Sequence, residues 1–544
     1  MICQKTYVNV IYVNAKARSL VQNGKSWKTA YLTLQPALED AALFPGSHIW
    51  IAQGVYTPSA PYAPNGVVGG LSGLTDINLR TFNVPDSTFL FGGFRGCERK
   101  LKHRCVEEYE TILSGANTYW HTVVVGNDLP NTVGVIASLD GLTLIDGNAT
   151  GPSNNPFGTI FAPLGYAHSN GGALYIVNDS SVAVRNCLIR NNQANGIGGA
   201  VYTNNSNVSF YDCVFRCNHA DNQAGAAAFY NTFEPAEVPH SAYVYNCVFE
   251  ENSALNFGGA IVVEGTQPNP ASKAVIKGSL FFKNTAYEGG AIVADSETTI
   301  IECCRFLKNI AYVTGGAIAT TNIVNALNAA ASVTPIVAAN YATTINDSYF
   351  YGNVCQANEQ LRAIFLGGPA LGISFASGGG AITCYLNGIL NVNNSKFYAN
   401  VSYGDGGAIL NGGSAVSNPA FVAPNALTVY AAHTTVNNSV FVDNLARGSG
   451  GAIASEGGSN IVLNPPVVVD PAQVQLSVFN SLFKRNTAYV RGGAIYLNNS
   501  AAVLVGNIFK CNKALIENDN VHSNNNSFVT YADGCGGCPK KKEC

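Results

Sequence analysis

Short runs in which apolar and polar residues alternate recur along most of the chain. Residues 173–199 show one such set, in which Ala173–Val177, Ser181–Arg185 and Cys187–Arg190 are separated by polar turns. Alternation with a period of two is typical of strands that bury one face. The pattern therefore predicts three short strands and three bends in each repeat of roughly 26 residues.

Two motifs mark the repeats. Gly-Gly-Ala followed by an aliphatic residue stands at Gly171–Leu174, Gly198–Val201, Gly258–Ile261, Gly289–Ile292, Gly315–Ile318, Gly379–Ile382, Gly406–Ile409, Gly450–Ile453 and Gly492–Ile495. A second motif has Phe (once Ile), two variable residues and an asparagine, and it ends at Asn192, Asn218, Asn252, Asn284, Asn309, Asn353, Asn400, Asn444, Asn486 and Asn512. Recurrence in a fixed order predicts an all-β parallel β-helix, in which each strand pairs with its equivalent one coil further on.

Stacked coils place equivalent residues beside each other. We expect the phenylalanines to stack at about 4.8 Å. The ten asparagines should form a structural ladder at a corner, because side-chain amides donate and accept along the stack. Two residues before the aromatic, Cys187 and Ser279 are examples of a position that takes Cys or Ser. This position shares the inward parity of the aromatic, so we interpret it as a buried stack of small residues rather than a metal site.

The amino-terminal part differs from the repeats. Thr33–Leu43 has apolar residues at helical spacing between two predicted strands. We interpret this helix as a cap that covers the open end of the first coil. The predicted organisation is a cap with irregular coils over residues 1–150, the regular β-helix over 151–515, and a Cys/Gly/Lys-rich tail over 516–544.

Insertions interrupt the repeats. They cover Thr232–Ser241, Thr266–Lys273, Thr320–Thr344, Gln356–Ser377, Asn411–Thr435 and Glu456–Gln475, and they are rich in Ala, Val, Pro and Asn with very few charges. Most fall between the Gly-Gly-Ala strand and the Phe strand, so they should emerge from one side. Long loops collected on one face are where solenoids usually bind, although loops that only pad or self-associate are the alternative.

The Gly-Gly-Ala-Ile and Phe-x-x-Asn motifs resemble the repeats of the polymorphic outer membrane protein (Pmp) family of chlamydiae. Ser26–Tyr31, Leu34–Leu38 and Ile49–Ala52 are similar to the opening of many secreted bacterial β-helix proteins with this repeat. The resemblance spans about Val8–Asn512. It implies a right-handed single-stranded parallel β-helix of the pectin-lyase-like class, displayed at a surface and used as an adhesin.

Composition and charge limit the classes of partner that this chain is expected to bind. Charged residues make up 12% of the chain and the net charge is -3, so neither nucleic acid nor an anionic membrane has electrostatic support as a partner. No stretch reaches the ~18 apolar residues that a membrane span needs. A signal peptide is not evident, because the first residues carry a lone Lys5 and an apolar run broken by Asn9. We expect an extracellular, cell-surface or virion-surface location.

The cysteines of the tail form a separate group. Cys535, Cys538 and Cys544 lie in a Gly- and Lys-rich sequence without a nearby histidine, which is weak support for zinc. The hypotheses are a cross-linking tail that joins subunits through disulfides, or a disordered end. Cys97 and Cys105 bracket a short polar loop, and a disulfide between them is left open.

No catalytic constellation stands out. Adjacent acids are scarce, the Glu250–Glu251 pair falls at variable positions, and the motifs of polygalacturonases and pectate lyases are missing. Asp221, Asp405 and Asp443 lie near bends, but they lack the ligand density of a calcium site. We expect no catalytic residue, cofactor or metal site, and we interpret His121, His168, His219, His240 and His433 as exposed or hydrogen-bonded residues.

The leading hypothesis is a non-enzymatic, surface-displayed β-helix, an adhesin or structural fibre that makes contacts through its lateral loops. Its partner would be a surface receptor or a glycan, with a homo-oligomer or disulfide-linked assembly as a further option. The first alternative is a polysaccharide lyase or glycoside hydrolase on the same scaffold. The second alternative is a virion surface or fibre protein.

Overall fold

The computed structural model describes residues 8–59, 77–126, 135–151, 167–177, 180–231, 239–265, 271–322, 341–358, 373–375, 377–412, 414–416, 428–457, 474–524 and 527–532. The chain separates into two compact units. The first unit contains Met1–Glu234 and His240–Asn252, and the second contains Pro235–Pro239 and Ser253–Cys544. The same pattern of strands builds both units.

One coil of the first unit shows this pattern. Val201–Asn204, Asn207–Tyr211, Val214–Arg216 and His219–Ala220 follow each other, and each joins a different parallel sheet. We call these sheets 1, 2, 3 and 4, in that order. Sheet 1 therefore starts just after the Gly-Gly-Ala motif, sheet 3 holds the Phe of the second motif, and sheet 4 begins directly after its asparagine.

The strands of the first unit are given by sheet. Sheet 1 consists of Phe82–Val84, Val123–Val125, Leu174–Val177, Val201–Asn204 and Ala227–Asn231. Sheet 2 consists of Val10–Val13, His48–Ala52, Thr88–Phe94, Ile136–Asp140, Ser181–Arg185, Asn207–Tyr211 and Ser241–Tyr245. Sheet 3 consists of Gly54–Tyr56, Thr111–Ser114, Thr143–Ile145, Leu188–Arg190, Val214–Arg216 and Val248–Glu250, and sheet 4 of Asn148–Ala149, Gln193–Ala194 and His219–Ala220.

The second unit repeats the four sheets. Sheet 1 consists of Ile261–Gly265, Ile292–Asp295, Ile318–Thr321, Ile382–Cys384, Ile409–Gly412, Ile453–Glu456, Ile495–Asn498 and Val521–Asn524. Sheet 2 consists of Lys273–Lys277, Thr299–Glu302, Ala342–Asn346, Ile389–Asn393, His433–Asn437, Gln475–Phe479, Ala501–Val505 and Phe528–Ala532. Sheet 3 consists of Leu280–Phe282, Arg305–Leu307, Tyr349–Tyr351, Lys396–Tyr398, Val440–Val442, Leu482–Lys484 and Ile508–Lys510. Sheet 4 consists of Ser253–Ala254, Thr285–Glu288, Ile310–Thr314, Val354–Cys355, Val401–Ser402, Leu445–Ala446, Thr487–Ala488 and Lys513–Ala514.

Each strand pairs in parallel with its equivalent in the next coil, for example Phe397 with Phe441 in sheet 3. The predicted fold class, an all-β right-handed parallel β-helix with an amino-terminal helix cap, is confirmed. The predicted number of strands was wrong in one respect. The segment interpreted as a plain bend after Asn192 contains the strand Gln193–Ala194. Two residues are too short to give an alternating pattern.

The helix cap is Gln35–Leu43, two residues shorter at its start than predicted, with Pro36 in its first turn. Ala37, Leu38 and Ala41 form its buried face. Proline is tolerated in a first helical turn because its missing N–H has no intrahelical acceptor there. Short 3-10 helices cover Trp27–Thr29, Ile77–Leu79, Leu101–His103 and Ala167–Ser169.

Aromatic stacking fills the core along sheet 3. In the second unit neighbouring rings lie 4.7–5.1 Å apart between centroids in nearly parallel planes. The stack consists of Phe281, Phe306, Phe350, Phe397, Phe441, Phe483 and Phe509. In the first unit Phe215 and Phe249 stack at 4.6 Å. Offset ring stacks of this kind add to the burial of each side chain, so the coils share one continuous core within each unit.

The Cys/Ser position is buried in both units, as predicted. In the second unit the hydroxyls also link coils, because the backbone N–H of Ser348 donates to Ser395 Oγ at 3.1 Å and that of Ser395 donates to Ser439 Oγ at 3.2 Å. Burial raises the pKa of the Cys304 thiol to about 12. These cysteines are therefore inert structural residues rather than thiolate ligands.

Besides the first glycine of each Gly-Gly pair, for example Gly406 with φ of 64°, two positions in each regular coil have left-handed backbone conformation. One lies between sheets 2 and 3, with φ of 49–66°, at Asn186, Asp212, Asn246, Gly278, Cys303, Asp347, Asn394, Asn438, Asn480 and Gly506. The other directly precedes each asparagine of the second motif, with φ of 51–60°, for example at Lys283 and Ala399. Asn, Asp and Gly tolerate this region best, which explains their prevalence at the first position.

Candidate functional site

The asparagines of the second motif are connected along the stack. In the second unit each Nδ2 donates to Oδ1 of the next asparagine at 2.9–3.0 Å, from Asn284 to Asn512. The backbone N–H of each donates to the same oxygen at 3.0–3.1 Å. In the first unit Asn192, Asn218 and Asn252 repeat this arrangement. All are buried. Their geometry is that of internal structural residues with no access to a ligand.

The tail cysteines Cys535, Cys538 and Cys544 lie outside the described residues. Cys97 and Cys105, for which a mutual disulfide was left open, are both free and exposed thiols. Cys511, which was not singled out from the sequence, is disulfide-bonded. It lies directly before the ladder residue Asn512.

Corner lengths distinguish one side of the coils from the others. Two residues join every strand of sheet 2 in the regular coils to the following strand of sheet 3, and two join sheet 3 to sheet 4. The corner between sheets 1 and 2 is also two residues long at Asn205–Ser206 and Asn499–Ser500. Five of the six predicted insertions leave the coils at this corner, and the sixth lies between sheets 4 and 1. We call the corner between sheets 1 and 2 the insertion corner.

Two of the insertions in the second unit meet. Ile373–Phe375, from the insertion before sheet 1, pairs antiparallel with Ser414–Val416, from the insertion after sheet 1. Ser414–Val416 in turn pairs antiparallel with Thr428–Tyr430. These three strands form a small sheet beside the β-helix. The insertions at this point are therefore ordered against one another rather than independent loops.

The outer face of sheet 1 lies beside the insertion corner. Asn411 Nδ2 donates to Ser455 Oγ, and Asn411 Oδ1 accepts from Thr434 Oγ1 of sheet 2, so Asn411 and Ser455 point into the coil. By alternation, Leu410 and Glu456 point outward. Leu410 packs with Ala454 and Tyr496 in a small buried cluster on this outer face.

Two positions project side chains over this outer face. We call the residue before each Gly-Gly pair the bend residue, and the sixth residue after the first Gly of the pair the exit residue. In the first unit Ala224–Gly225 stands in place of a Gly-Gly pair, and there the Gln223 bend residue accepts a hydrogen bond from the hydroxyl of the Tyr230 exit residue. In the second unit the Asp405 bend residue and the Glu456 exit residue of the next coil hydrogen-bond to each other. Bend and exit side chains therefore meet across sheet 1.

The Asp405–Glu456 pair brings two titratable groups together on this face. Glu456 is buried and Asp405 is half-buried, and Asp405 Oδ1 also accepts from the backbone N–H of Ser449 at 2.5 Å. Burial raises the pKa of Glu456 well above its usual range, and the Asp405 carboxyl raises it further. Burial also raises the pKa of Asp405, whereas the hydrogen bonds from Ser449 and Glu456 lower it. Glu456 is therefore the protonated carboxyl of the pair, and it donates a hydrogen bond to the Asp405 carboxylate.

Polar residues at the last coils surround this pair. Burial raises the pKa of Tyr496, and both carboxyls of the pair contribute to the increase. Arg491 forms an ion pair with Glu517, with Nε and Oε2 3.0 Å apart. Burial lowers the pKa of His522, which stacks on Tyr496 with ring centroids 5.9 Å apart. The cluster combines a shared proton, a phenol and an imidazole at one end of the described chain.

The other residues weighed from the sequence are dispersed. Asp443 pairs with Arg485 on the exposed surface, and Asp221 pairs with His219. His121 is buried and its Nδ1 lies 3.1 Å from the carbonyl oxygen of Gly171. The remaining histidines lie on separate elements: His168 in a 3-10 helix, His240 before a sheet 2 strand and His433 in sheet 2.

Across the ranges given above, no three His, Cys, Asp or Glu side chains are grouped so that they could hold a metal ion. None of the helices in those ranges is both long and apolar enough to cross a bilayer.

From the sequence, Asp405 was predicted only to be a carboxylate near a bend, and Glu456 was not predicted to lie beside it. The two residues lie in successive coils separated by an insertion, so linear spacing does not reveal the contact. The contact could be predicted only from the positions of the two residues in the repeat: Asp405 directly precedes Gly406, and Glu456 follows Gly450 by six residues. Recognising that these two positions share the outer face of sheet 1 requires the strand register.

One family of known proteins matches this chain at the two repeated motifs. The model of the Chlamydia polymorphic membrane protein repeat matches residues 246–264 and 480–502. Each matched stretch contains both motifs, so the resemblance stated from the sequence is confirmed there. No curated relative matches the chain.

Three solved structures are similar in fold. The A-module of the mannuronan C-5 epimerase AlgE6 from Azotobacter vinelandii is 12% identical, with 92% of this chain and 95% of that chain covered and a TM-score of 0.35. The Streptococcus pneumoniae surface protein and adhesin PfbA is 12% identical, with 92% of this chain and 94% of that chain covered and a TM-score of 0.26. A rhamnogalacturonan lyase is 11% identical, with 98% of this chain and 90% of that chain covered and a TM-score of 0.22. The fold assignment of the present chain rests on its own strand register.

Proposed function

We propose that this protein is a non-enzymatic, surface-displayed β-helix that binds a surface receptor or a glycan through its insertion corner. The observation that carries the proposal is the contrast in corner lengths. The corners on either side of sheet 3 keep two residues from coil to coil, whereas five of the six insertions lie between sheets 1 and 2. A scaffold whose insertions collect mainly at one corner presents a binding surface there.

The internal ladders support this division of roles. The Phe stack and the asparagine hydrogen bonds connect each coil to the coils next to it. The insertions are therefore not needed to complete the core. The paired insertion strands Ile373–Phe375 and Ser414–Val416 give part of the corner a fixed shape. A preformed surface costs less ordering entropy on binding than separate loops would.

A surface location is part of the proposal, on a cell or on a virion. The Pmp repeat at residues 246–264 and 480–502 supports it by resemblance. The disulfide at Cys511 supports it independently, because structural disulfides persist in oxidising compartments. Mass spectrometry of purified particles and of the cell-surface fraction separates the two locations. Recovery of the chain only from the cytosol would contradict both.

A binding screen tests the proposal. The full chain is applied to a glycan array and to a panel of cultured cells, and bound protein is quantified over a concentration series. We expect saturable binding to at least one surface. Binding that never saturates, or that is equal on all surfaces, would refute specific recognition.

A carbohydrate-active enzyme is the second candidate, and the Asp405–Glu456 pair is the observation that favours it. The geometry weighs against it, since acid and base carboxyls acting on a glycosidic bond stand about 5–9.5 Å apart, whereas these two hydrogen-bond directly. Turnover on a panel of acidic and neutral polysaccharides decides between the candidates. Activity in the wild type that disappears in Glu456→Gln would establish the enzyme and overturn the first proposal.

A further inference from the structure

A second carboxylate lies on the outer face of sheet 1 in the second unit, and its surroundings differ from those of Asp405. Glu288 is the bend residue before Gly289, and it is 2% exposed. Its Oε1 has no hydrogen-bond partner. Burial raises the pKa of Glu288 well above its usual range, and the carboxylate of Asp295 raises it further.

Two exit residues complete the group. Asp295 follows Gly289 by six residues and Thr321 follows Gly315 by six, so each is the exit residue of its coil. They are direct partners in the parallel register of sheet 1, and both are buried. The Oγ1 of Thr321 is buried without a hydrogen-bond partner. Sheet neighbours in register stand about 4.8 Å apart, so the two side chains lie side by side on the outer face.

The repeat itself indicates that Glu288 is directed at these exit residues. In an equivalent place, the Asp405 bend residue reaches the Glu456 exit residue of the following coil. Thr321 holds the position of Glu456 relative to Glu288. Asp405 therefore meets a proton donor, whereas Glu288 faces a hydroxyl oxygen and a second carboxylate.

An unpaired carboxyl oxygen and an unpaired hydroxyl in one buried place carry an energetic cost. Each buried polar group without a partner destabilises the folded state, and a buried charge does so more strongly. A bound ion or water is a common reason for such groups in folded proteins. All three side chains offer oxygen atoms, which are the donors that hard divalent cations prefer.

We propose that Glu288, Asp295 and Thr321 form a calcium-binding site on the outer face of sheet 1. Two carboxylates neutralise the ion, the Thr321 hydroxyl adds a neutral oxygen, and water fills the other coordination positions that calcium accepts. The ion would join two successive coils next to the insertions that leave after Gly265 and Thr321. The site would fix the insertion corner at this point, independently of what the corner binds.

Calorimetric titration of the full, chelator-treated chain with calcium chloride tests the proposal. We expect a saturable heat of binding, and a thermal unfolding midpoint that rises with calcium but not with sodium chloride of equal ionic strength. Glu288→Gln should weaken calcium binding at least about tenfold, because even outer-shell changes at metal sites cost that much. Thr321→Val should weaken it as well, with little change of volume. Asp405→Asn is the matched control and should bind calcium like the wild type.

The opposite results would overturn the site. Wild-type protein that gives neither a heat of binding nor a calcium-dependent shift in unfolding does not contain it. Calcium binding that is equal in Glu288→Gln and in the wild type would place the ion elsewhere. If Glu288→Gln does not fold, the wild-type titration and the Thr321→Val variant decide the question.

Discussion

Asn400→Ala is expected to destabilise the second unit strongly. Asn400 is fully buried, and its amide takes part in four hydrogen bonds. Nδ2 donates to Phe350 O at 3.2 Å and to Asn444 Oδ1 at 3.0 Å. Oδ1 accepts from the backbone N–H of Asn353 at 3.1 Å and from its Nδ2 at 2.9 Å. Alanine removes all four.

The expected loss of stability depends on which groups are left without a hydrogen-bond partner. The backbone N–H of Asn353 is left buried without an acceptor, which costs about 1–3 kcal/mol, and each of the other three bonds is worth about 0.5–1.5 kcal/mol. We therefore expect Asn400→Ala to reduce the free energy of unfolding by about 2.5–7.5 kcal/mol. Neighbouring coils share one stack, so the loss should spread to adjacent coils.

Urea denaturation and amide hydrogen exchange measure the effect. Exchange at the Asn353 amide should accelerate far more than at amides several coils away. Asn391→Ala is the matched control, because Asn391 is half-buried on the outer face of sheet 2 in the same coil. A cost below about 1 kcal/mol for Asn400→Ala, or a cost equal to that of Asn391→Ala, would refute the role of the ladder.

Three further predictions concern the second unit. Burial raises the pKa of both Asp405 and Glu456. The pair therefore stabilises the fold fully below the unfolded carboxyl pKa of about 4.3 and loses this contribution as pH rises through the raised pKa. Glu456→Gln should flatten the decrease of urea stability above about pH 4, and an unchanged slope would contradict the shared proton. Cys303 has φ of 53° where most other coils have Asn, Asp or Gly. Cys303→Asn should stabilise by about 1 kcal/mol in the same assay, and a loss of stability would show that φ does not decide residue choice there. Phe397→Ala removes one ring from the stack and should cost about 3–5 kcal/mol. Near-wild-type stability of this variant would show that the stack closes around the gap.

The regular coils could be predicted from sequence because each residue of the repeat has one environment. Phe397 and Asn400 recur at a fixed spacing, and strand parity places Phe397 inside. The two-residue strands of sheet 4 could not be predicted, since a segment such as Val401–Ser402 is too short to carry a periodic signal. The left-handed conformation of the residue between sheets 2 and 3 could have been predicted from the sequence, because Asn394 and its equivalents are nearly all Asn, Asp or Gly.

The outer face of sheet 1 was much less predictable. Glu288 and Thr321, and likewise Asp405 and Glu456, lie in successive coils whose connecting segments differ in length, so their proximity depends on register rather than on spacing. The small antiparallel sheet joins Ile373–Phe375 to a strand from a different insertion. Such pairing between non-repeating segments leaves no trace in a single sequence, because nothing in either segment marks its partner.

The most direct test of the account is a binding measurement in which only the insertion corner changes. Residues 457–474 are replaced by the two-residue turn Asn205–Ser206, which joins sheets 1 and 2 in a short coil of this protein. The control carries Tyr351→Ala and Tyr398→Ala, two outward-facing residues of sheet 3. Urea denaturation first establishes that both variants are folded. In saturation binding to the cell or glycan surface found in the screen, the shortened variant should lose at least about tenfold in affinity, as expected when central contact residues are removed, while the control keeps wild-type binding. Unchanged binding by the shortened variant, together with a loss in the tyrosine variant, would contradict the account.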